Sequence, residues 1–314
     1  MKHPETISIV LPAYNGSKYI RESIVSCLNQ THKNIELIVV DDCSLDETPD
    51  IVKSFEDARI TLIQQERNQG LPHALNTGFA HARGDFLTWT SDDNYFAQTA
   101  LEKMLSFLKA TDCCFVYCDY YMFDDGNPSE LKIMQLPDIC TLNKQNNIGP
   151  CFLYSRRVKE STGDYDPDTR LAEDYDYWLR VAKKFDMVHL PEPLYFYRLH
   201  ATSLTSVFSR EYEIKVVDIL VRLKNNCISI GDATEFCMKY TKKNMETKFQ
   251  HTIGAHRFNK MFELKRKGLI LWYNVVTKLR SAKQINNTLI NFTNKNLSFE
   301  DAKAVLIKTI NGKH

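Results

Sequence analysis

The chain has 314 residues, of which 43% are hydrophobic and 25% charged, and its formal net charge is +1. This composition is typical of a soluble globular protein, and the length suffices for about two domains. No stretch reaches the roughly 18 to 20 apolar residues of a membrane span, and residues 1–6 lack the apolar stretch of a signal peptide. The nine cysteines form no C-x-x-C pair, so we expect reduced thiols. Together these features predict a cytoplasmic protein.

Charge is distributed unevenly along the chain. Residues 1–206 contain 20 Lys and Arg against 30 Asp and Glu, a net charge of −10, whereas residues 207–314 contain 20 against 9, a net charge of +11. Parts of opposite charge favour different partners. The sequence therefore predicts two domains, with a boundary after Ser206.

Short apolar runs alternate with amphipathic stretches over the first 120 residues. We predict strands at 7–11, 36–40, 60–64, 86–90 and 115–119, and helices at 18–30, 49–55, 71–81 and 97–109. Apolar strands separated by single helices indicate an α/β fold, with a mainly parallel sheet covered by helices on both faces. Farther along we predict a loop over 124–145, strands at 149–154, 187–190 and 195–198, and a helix beginning near Glu173. Only helices are predicted beyond Ser206, at 210–226, 234–249, 258–267, 269–279 and 299–310.

Polar side chains follow three of the predicted parallel strands. Tyr14 and Asn15 follow the first strand, Asp41 and Asp42 the second, and residues 91–94 the fourth. Ligands of such sheets bind beyond the carboxyl ends of the strands. We therefore expect these three strand ends to line one crevice.

The segment TSDDN contains two adjacent carboxylates, Asp92 and Asp93. They would repel each other unless a cation or hydrogen-bond donors offset their charge, and a hard divalent cation takes oxygen ligands and bridges diphosphates. The alternative is that Asp92 caps the next helix and Asp93 is solvated. In the similar segment VVDDCS, a carboxylate could accept hydrogen bonds from a base or a ribose. Neither G-x-G-x-x-G nor G-x-x-x-x-G-K-[ST] occurs, which disfavours dehydrogenases and P-loop proteins.

Four segments, in order, resemble the motifs of the inverting family 2 glycosyltransferases, which have the GT-A fold. They are LPAYNGSKYIRESIVSCLNQT, ELIVVDDCSLDET, ERNQGLPHALNTGFAHARGDFLTWTSDDN and AEDYDYWLRV, and the resemblance covers residues 5–206. It implies that residues 1–206 are a GT-A domain that uses a nucleotide-sugar donor, with UDP preferred by analogy, and Mn²⁺ or Mg²⁺. The chain lacks the Q-x-x-R-W signature and membrane spans of processive synthases, so we expect transfer of a single sugar.

The resemblance also implies site residues. The implied donor-binding residues are Pro12, Tyr14, Asp42, Arg67, Asn76 and Asp92. Tyr14 would pack against the base, Asp42 would bind the base edge and Asp92 would contact the ribose. Asp93 would bind the metal, and His200 lies where some relatives have a metal or phosphate contact. For three of these residues a function outside ligand binding is the alternative. Asn76 could satisfy backbone groups, Arg67 could simply be solvated, and His200 could be structural.

AEDYDYWLR contains three carboxylates near a helix start, where the helix dipole favours acidic residues in any case. The resemblance implies that one of them is the general base, and Asp174 is the better match, with Glu173 second. Asp174 would take a proton from the acceptor hydroxyl as its oxygen attacks the anomeric carbon, inverting the configuration.

The predicted function is transfer of one sugar to a saccharide or lipid-linked acceptor, as in bacterial surface polysaccharide synthesis. One alternative is a metal-dependent nucleotidyltransferase, although PAYNGSKY is not the Gly-rich basic segment that such an enzyme should have after its first strand. The other is a catalytically silent GT-A scaffold protein. The intact set of Asp42, Asp92, Asp93 and Asp174 argues against it.

Residues 207–314 are predicted to form a basic helical region, with the segments KKNMETK and FELKRKGLILWYNVVTKLR. A basic amphipathic surface would dock on anionic lipid at the inner face of the membrane, which suits a lipid-diphosphate acceptor. The alternative is a solvated helical face packed on the first domain. No nucleic-acid recognition motif accompanies the charge, so no nucleic-acid partner is expected.

Overall fold

The computed structural model describes residues 5–203, 211–240 and 280–311. The chain divides into two compact units, Met1–Val207 and Phe208–His314. No helix in the described ranges is both long enough and apolar enough to cross a membrane.

The first unit contains eleven strands among its described residues, in two sheets. They are β1 (Ile7–Ala13), β2 (Ile35–Asp41), β3 (Ile60–Gln64), β4 (Phe86–Trp89), β5 (Tyr95–Phe96), β6 (Phe115–Cys118), β7 (Tyr120–Asp124), β8 (Asn127–Met134), β9 (Phe152–Ser155), β10 (Met187–Leu190) and β11 (Tyr195–Leu199). Seven strands form the large sheet, in the order β10-β6-β9-β4-β1-β2-β3. Its pairs are parallel except those of β9, which runs antiparallel to β4 and β6. The predicted α/β class with a mainly parallel sheet is confirmed.

Six α-helices in the described part of this unit connect and cover the strands. They are α1 (Ile20–Leu28), α2 (Thr48–Lys53), α3 (Leu71–His81), α4 (Ala100–Thr111), α5 (Arg156–Thr162) and α6 (Glu173–Ala182). All seven residues of β1 are buried, which explains its continuous apolar run. Helix α3 packs closely on β1 because Gly78 has no side chain: a Cβ atom there would lie 2.3 Å from Cγ1 of Val10.

The second sheet has the order β5-β11-β7-β8, and it corrects the predicted loop over 124–145. Strands β7 and β8 form an antiparallel hairpin. All residues of β8 except Met134 are exposed. The prediction was wrong here because a strand with both faces in water has no apolar and polar alternation to reveal it.

The described residues of the second unit form helices joined by short turns. Its helices are Glu211–Lys224, 230–240, 280–293 and Phe299–Ile310. The last begins at Ser298, whose side chain accepts a hydrogen bond from the backbone N–H of Asp301. The predicted helices 210–226 and 299–310 are confirmed. The predicted helices 258–267 and 269–279, the end of 234–249 and the segment KKNMETK lie outside the described residues.

Candidate active site

The loops that follow β1, β2 and β4 lie together at the carboxyl ends of the strands. The backbone N–H of Tyr14, after β1, donates to Oδ2 of Asp92, after β4, at 3.2 Å. The backbone N–H of Asn15 donates to Oγ of Ser44, after β2, at 2.9 Å. The structure thus brings the three predicted strand ends into one site, as the parallel register requires.

Asp42 is 4% exposed and anchors the loop that precedes α3. Its two carboxylate oxygens accept hydrogen bonds from the backbone N–H groups of Gln69, at 2.8 Å, and Gly70, at 2.7 Å. Each oxygen keeps a second lone pair, so the carboxylate can still accept a bond from a ligand. Asp42 therefore fixes the loop before α3 at the carboxyl end of β2.

Asp92 is partly buried between the first and fourth strand ends. A Cβ atom at Gly16 would lie 2.1 Å from its Oδ2 atom, so only glycine fits there with Asp92 in this position. Burial, together with the adjacent negative charge of Asp93, raises the pKa of Asp92 to about 7. A positive charge nearby would stabilise the ionised form of this carboxyl group.

Asp93 and His200 form a close pair. Oδ2 of Asp93 lies 2.9 Å from Nε2 of His200, whose Nδ1 lies 2.9 Å from Oγ1 of Thr202. The other carboxylate oxygen of Asp93, Oδ1, is buried and has no hydrogen-bond partner in the described part of the chain. A buried charged oxygen without a donor is costly, and it marks the place where a cation would be stabilised.

The pair fits a divalent cation. A carboxylate and an imidazole are both groups that bind metals in proteins, and here they lie together at the carboxyl ends of the strands, 2.9 Å apart. A ligating imidazole must present an unprotonated nitrogen to the metal. Thr202 permits this, because its hydroxyl can accept a hydrogen bond from Nδ1–H, which leaves Nε2 without a proton. No group of three or more His, Cys, Asp and Glu that could hold a metal occurs among the described residues.

Glu173 and Asp174 lie in the first turn of α6. Asp174 accepts hydrogen bonds from the backbone N–H of Tyr175 at 2.7 Å and from Nδ2 of Asn146 at 2.9 Å. Burial raises the pKa of Asp174 above its usual value. Glu173 is 8% exposed, and burial with the neighbouring charge of Asp174 raises its pKa to about 7. Asp174 is the more accessible of the two carboxyl groups.

Asn76 makes two hydrogen bonds within the fold. Its side-chain Nδ2 donates to the backbone carbonyl of Tyr165 at 2.8 Å, and its Oδ1 accepts from the backbone N–H of the same residue at 2.9 Å. Both ends of the amide are thereby used to join α3 to a distant loop. These bonds favour the structural alternative for Asn76, and donor binding by Asn76 stays a prediction.

The remaining predicted residues differ in their surroundings. Pro12 is a buried residue of β1. The pairing of β1 with β4 ends at Val10, so Pro12 lies in the part of β1 beyond that pairing. Tyr14 is 47% exposed, so its ring is available for a flat ligand. Arg67 is exposed and makes no hydrogen bond or ion pair with any described residue.

The sequence did not single out three residues that shape the site. Gly16 contacts Asp92, Asn146 binds Asp174, and Arg198 donates from Nε to the backbone carbonyl of Asp93 at 3.0 Å. Arg198 is the last residue of the predicted strand 195–198 and precedes the candidate residue His200 by two positions, which was the one signal available for it. Gly16 and Asn146 are uncharged and had no comparable signal.

Solved structures with low sequence identity share this fold. S. aureus TarS (residues 1–349) in complex with UDP-GlcNAc has a TM-score of 0.59 at 17% identity, covering 98% of this chain and 93% of that one. The mannosyltransferase PcManGT from Pyrobaculum calidifontis, in complex with GDP-Man and Mn²⁺, has a TM-score of 0.59 at 15% identity, covering 100% and 89%. The predicted GT-A fold is confirmed.

Similar sequences are named as glycosyltransferases. The putative teichuronic acid biosynthesis glycosyltransferase TuaG of Bacillus subtilis (strain 168) is 34% identical over 207 residues, 64% of this chain and 81% of that protein. The UDP-Glc:alpha-D-GlcNAc-diphosphoundecaprenol beta-1,3-glucosyltransferase WfaP of Escherichia coli is 28% identical over 240 residues, 72% of this chain and 87% of that protein.

The model of the family described as "Glycosyl transferase family 2" matches residues 8–175, more than half of the chain. The matched range includes the three strand ends described above and Asp174 at the start of α6. The match decides against the nucleotidyltransferase alternative. The chain belongs to glycosyl transferase family 2 and is a glycosyltransferase.

Proposed function

We propose that this glycosyltransferase transfers one sugar, with inversion, from a UDP-sugar to a hydroxyl group of a saccharide or lipid-linked acceptor in polysaccharide synthesis. The observation that carries the proposal is the Asp93 and His200 pair at the strand ends, with one carboxylate oxygen buried and unpartnered among the described residues. The relative WfaP, by its name, uses UDP-Glc and a diphosphoundecaprenol acceptor, which supports UDP and a lipid-linked acceptor here.

Asp93 and His200 would hold Mn²⁺ or Mg²⁺ against the donor diphosphate. The bound cation would stabilise the charge that builds on the departing diphosphate. Thr202 would keep the His200 ring in the orientation that presents Nε2 to the metal, since a hydrogen bond at one ring nitrogen fixes the other.

The other residues at the strand ends would hold the nucleotide. The half-exposed ring of Tyr14 suits packing against the base, and the free lone pairs of Asp42 suit its edge. Asp92 would accept a hydrogen bond from a ribose hydroxyl. Arg67, exposed and unpaired among the described residues, would reach a phosphate. Pro12 would act indirectly, by fixing the strand end that presents Tyr14.

Asp174 would be the general base. Its hydrogen bonds from Tyr175 and Asn146 fix the carboxylate, and its raised pKa makes the ionised form a better proton acceptor. In a single displacement it would take the proton of the acceptor hydroxyl while the sugar leaves the diphosphate.

The test is to incubate the full chain with UDP-, GDP- and dTDP-sugars and Mn²⁺ or Mg²⁺, and to measure donor hydrolysis and binding. Asp93→Asn removes the ligand charge, and Asp112→Asn is a matched control on an exposed residue with a left-handed backbone that asparagine accepts. We expect metal-dependent hydrolysis of a UDP-sugar that Asp93→Asn loses and Asp112→Asn keeps. If no nucleotide sugar binds with either metal, the proposed function is wrong and the scaffold alternative is favoured.

A second experiment addresses the acceptor. With the preferred donor, transfer to a saccharide carried on a polyprenyl diphosphate is compared with transfer to the same free saccharide, with and without anionic vesicles. We propose a cytoplasmic enzyme in peripheral contact with the inner face of the membrane, through residues 207–314. Faster transfer to the lipid-linked acceptor on vesicles would support this location, and equal rates throughout would contradict it.

A further inference from the structure

We propose that Arg198 is a positioning residue that orients Asp93 for the divalent cation, an inference that rests on the proposed function. Arg198 lies on β11, and its side chain is 8% exposed. All three guanidinium nitrogens are used: Nε donates to the backbone carbonyl of Asp93 at 3.0 Å, Nη1 to Oδ1 of Asp125 at 2.8 Å, and Nη2 to Oε2 of Glu22. The guanidinium plane is thereby fixed against three different segments of the chain.

Aromatic rings cover the guanidinium group. Its central carbon lies 4.5 Å from the ring centroid of Tyr19 and 4.8 Å from that of Phe123, distances at which a cation is attracted to the ring. The hydroxyl of Tyr19 also donates to Oδ2 of Asp125 at 2.8 Å. Hydrogen bonds within the plane and rings beside it leave the group little freedom to move.

Strand β11 holds the acidic motif at several points. The backbone N–H of Arg198 donates to Oδ1 of Asn94 at 2.7 Å, while its Nε holds the carbonyl of Asp93. Two residues farther along, His200 contacts the carboxylate of Asp93. The main chain of Asp93 is therefore fixed from β11 and one carboxylate oxygen from His200, just after β11, and the oxygen that remains unpartnered among the described residues is Oδ1.

Stability alone does not account for a buried ionic residue at this position. Replacing a buried ion pair with apolar residues of similar volume is often neutral or stabilising, because burial removes the charges from water. The Arg198 side chain donates a hydrogen bond to the backbone carbonyl of Asp93. A hydrophobic residue at position 198 would leave this carbonyl without that donor. Lysine cannot substitute fully, since it lacks the planar fork and the stacking surface of arginine.

The experiment measures the affinity of the full chain for Mn²⁺ in the presence of saturating UDP, by calorimetry, for wild type, Arg198→Lys and Arg198→Met. Loss of a group that orients a metal ligand typically weakens binding about 10–100-fold, and we expect that range for Arg198→Met and a smaller loss for Arg198→Lys. In assays of donor hydrolysis, both variants should need a higher Mn²⁺ concentration than wild type to reach half of their maximal rate. At saturating Mn²⁺, Arg198→Lys should approach the wild-type rate.

Arg156→Met is the matched control. Arg156 donates to the backbone carbonyls of Gly84 and Ala82, at 2.8 and 3.0 Å, before the amino end of β4. Its loss should lower the melting temperature without changing the affinity for Mn²⁺. A purely structural function of Arg198 would give the same result, so Arg198 variants with a lowered melting temperature and unchanged Mn²⁺ affinity would overturn the inference.

Two further variants keep the outcome decisive. If neither Arg198 variant folds, Glu22→Gln loosens the same guanidinium through a partner whose side chain is 53% exposed, and it should weaken Mn²⁺ binding several-fold. Unchanged affinity in that variant would reject the positioning function. Asp93→Asn separates the two proposals. If this variant binds Mn²⁺ like wild type, the proposed metal site itself is wrong. If it loses Mn²⁺ binding while the Arg198 variants bind Mn²⁺ normally, only the inference about Arg198 is contradicted.

Discussion

Glu173 provides a prediction in which pH dependence and stability are linked. Its carboxyl group is buried at the start of α6, accepts a hydrogen bond from the backbone N–H of Leu171 at 2.7 Å, and adjoins Asp174. Burial, and then the charge of Asp174, raises its pKa from a usual 4.5 to about 7. Between these two values the folded chain retains a proton that the unfolded chain releases.

The free energy of unfolding therefore falls as the pH rises from 4.5 to about 7, because the folded state binds more protons than the unfolded state in that range. The difference between the two pKa values corresponds to about 3 kcal/mol. Glu173→Gln removes the titration and keeps an oxygen that can accept from Leu171. Relative to wild type, the variant should gain about 3 kcal/mol of stability between pH 4.5 and pH 8.

Urea unfolding, followed by tryptophan fluorescence at several pH values, checks this prediction. Trp89 on β4 and the buried Trp178 on α6 report on the first unit. Glu102→Gln, at an exposed position in the first turn of α4, is the matched control and should show no such gain. If the wild-type and Glu173→Gln curves run parallel from pH 4.5 to pH 8, the reasoning about burial at Glu173 is refuted.

Three other substitutions test separate parts of the site. Gly16→Ala would press a methyl group against Asp92, so donor turnover should fall roughly 100-fold. The free energy of unfolding should fall by about 1–3 kcal/mol. Normal turnover would contradict the assigned position of Asp92. Asn76→Ala should lower the free energy of unfolding by about 2 kcal/mol, through two lost bonds to Tyr165, without changing UDP affinity, and a change in UDP affinity would instead support donor binding by Asn76. Asp174→Asn should reduce kcat by roughly 10²–10⁴-fold without weakening UDP binding, and undiminished turnover would move the base to Glu173.

The large sheet could be predicted from the sequence because its strands are buried on both faces. Strands β1 and β2 consist almost entirely of buried residues, so their apolar runs are continuous and their carboxyl ends could be located. The order of the polar residues after them then predicted one crevice. The hairpin of β7 and β8 could not be predicted in this way, since β8 is exposed on both faces and its sequence, NPSELKIM, reads as a polar loop.

The candidate site was predictable where a motif marks it and less so where tertiary contacts decide. Asp42 and Asp93 follow strands, which made them candidates, and the resemblance to family 2 then implied their functions. By contrast, the use of the Asn76 amide by Tyr165 depends on residues 89 positions apart, and the contact of Arg198 with Asp93 spans 105 positions. No local pattern encodes pairs at that separation, so the structural function of Asn76 was only an alternative and Arg198 was missed.

The central claim is that Asp93 holds the cation. The most direct test is calorimetric titration of UDP into the full chain, with and without Mn²⁺, for wild type and for Asp93→Asn. Asp93 and His200 are the proposed protein ligands, and Oδ1 of Asp93 is buried without a partner among the described residues. We predict that Mn²⁺ strengthens UDP binding to wild type and has no effect on Asp93→Asn. Equal enhancement of UDP binding by Mn²⁺ in both proteins would contradict the claim that Asp93 holds the cation.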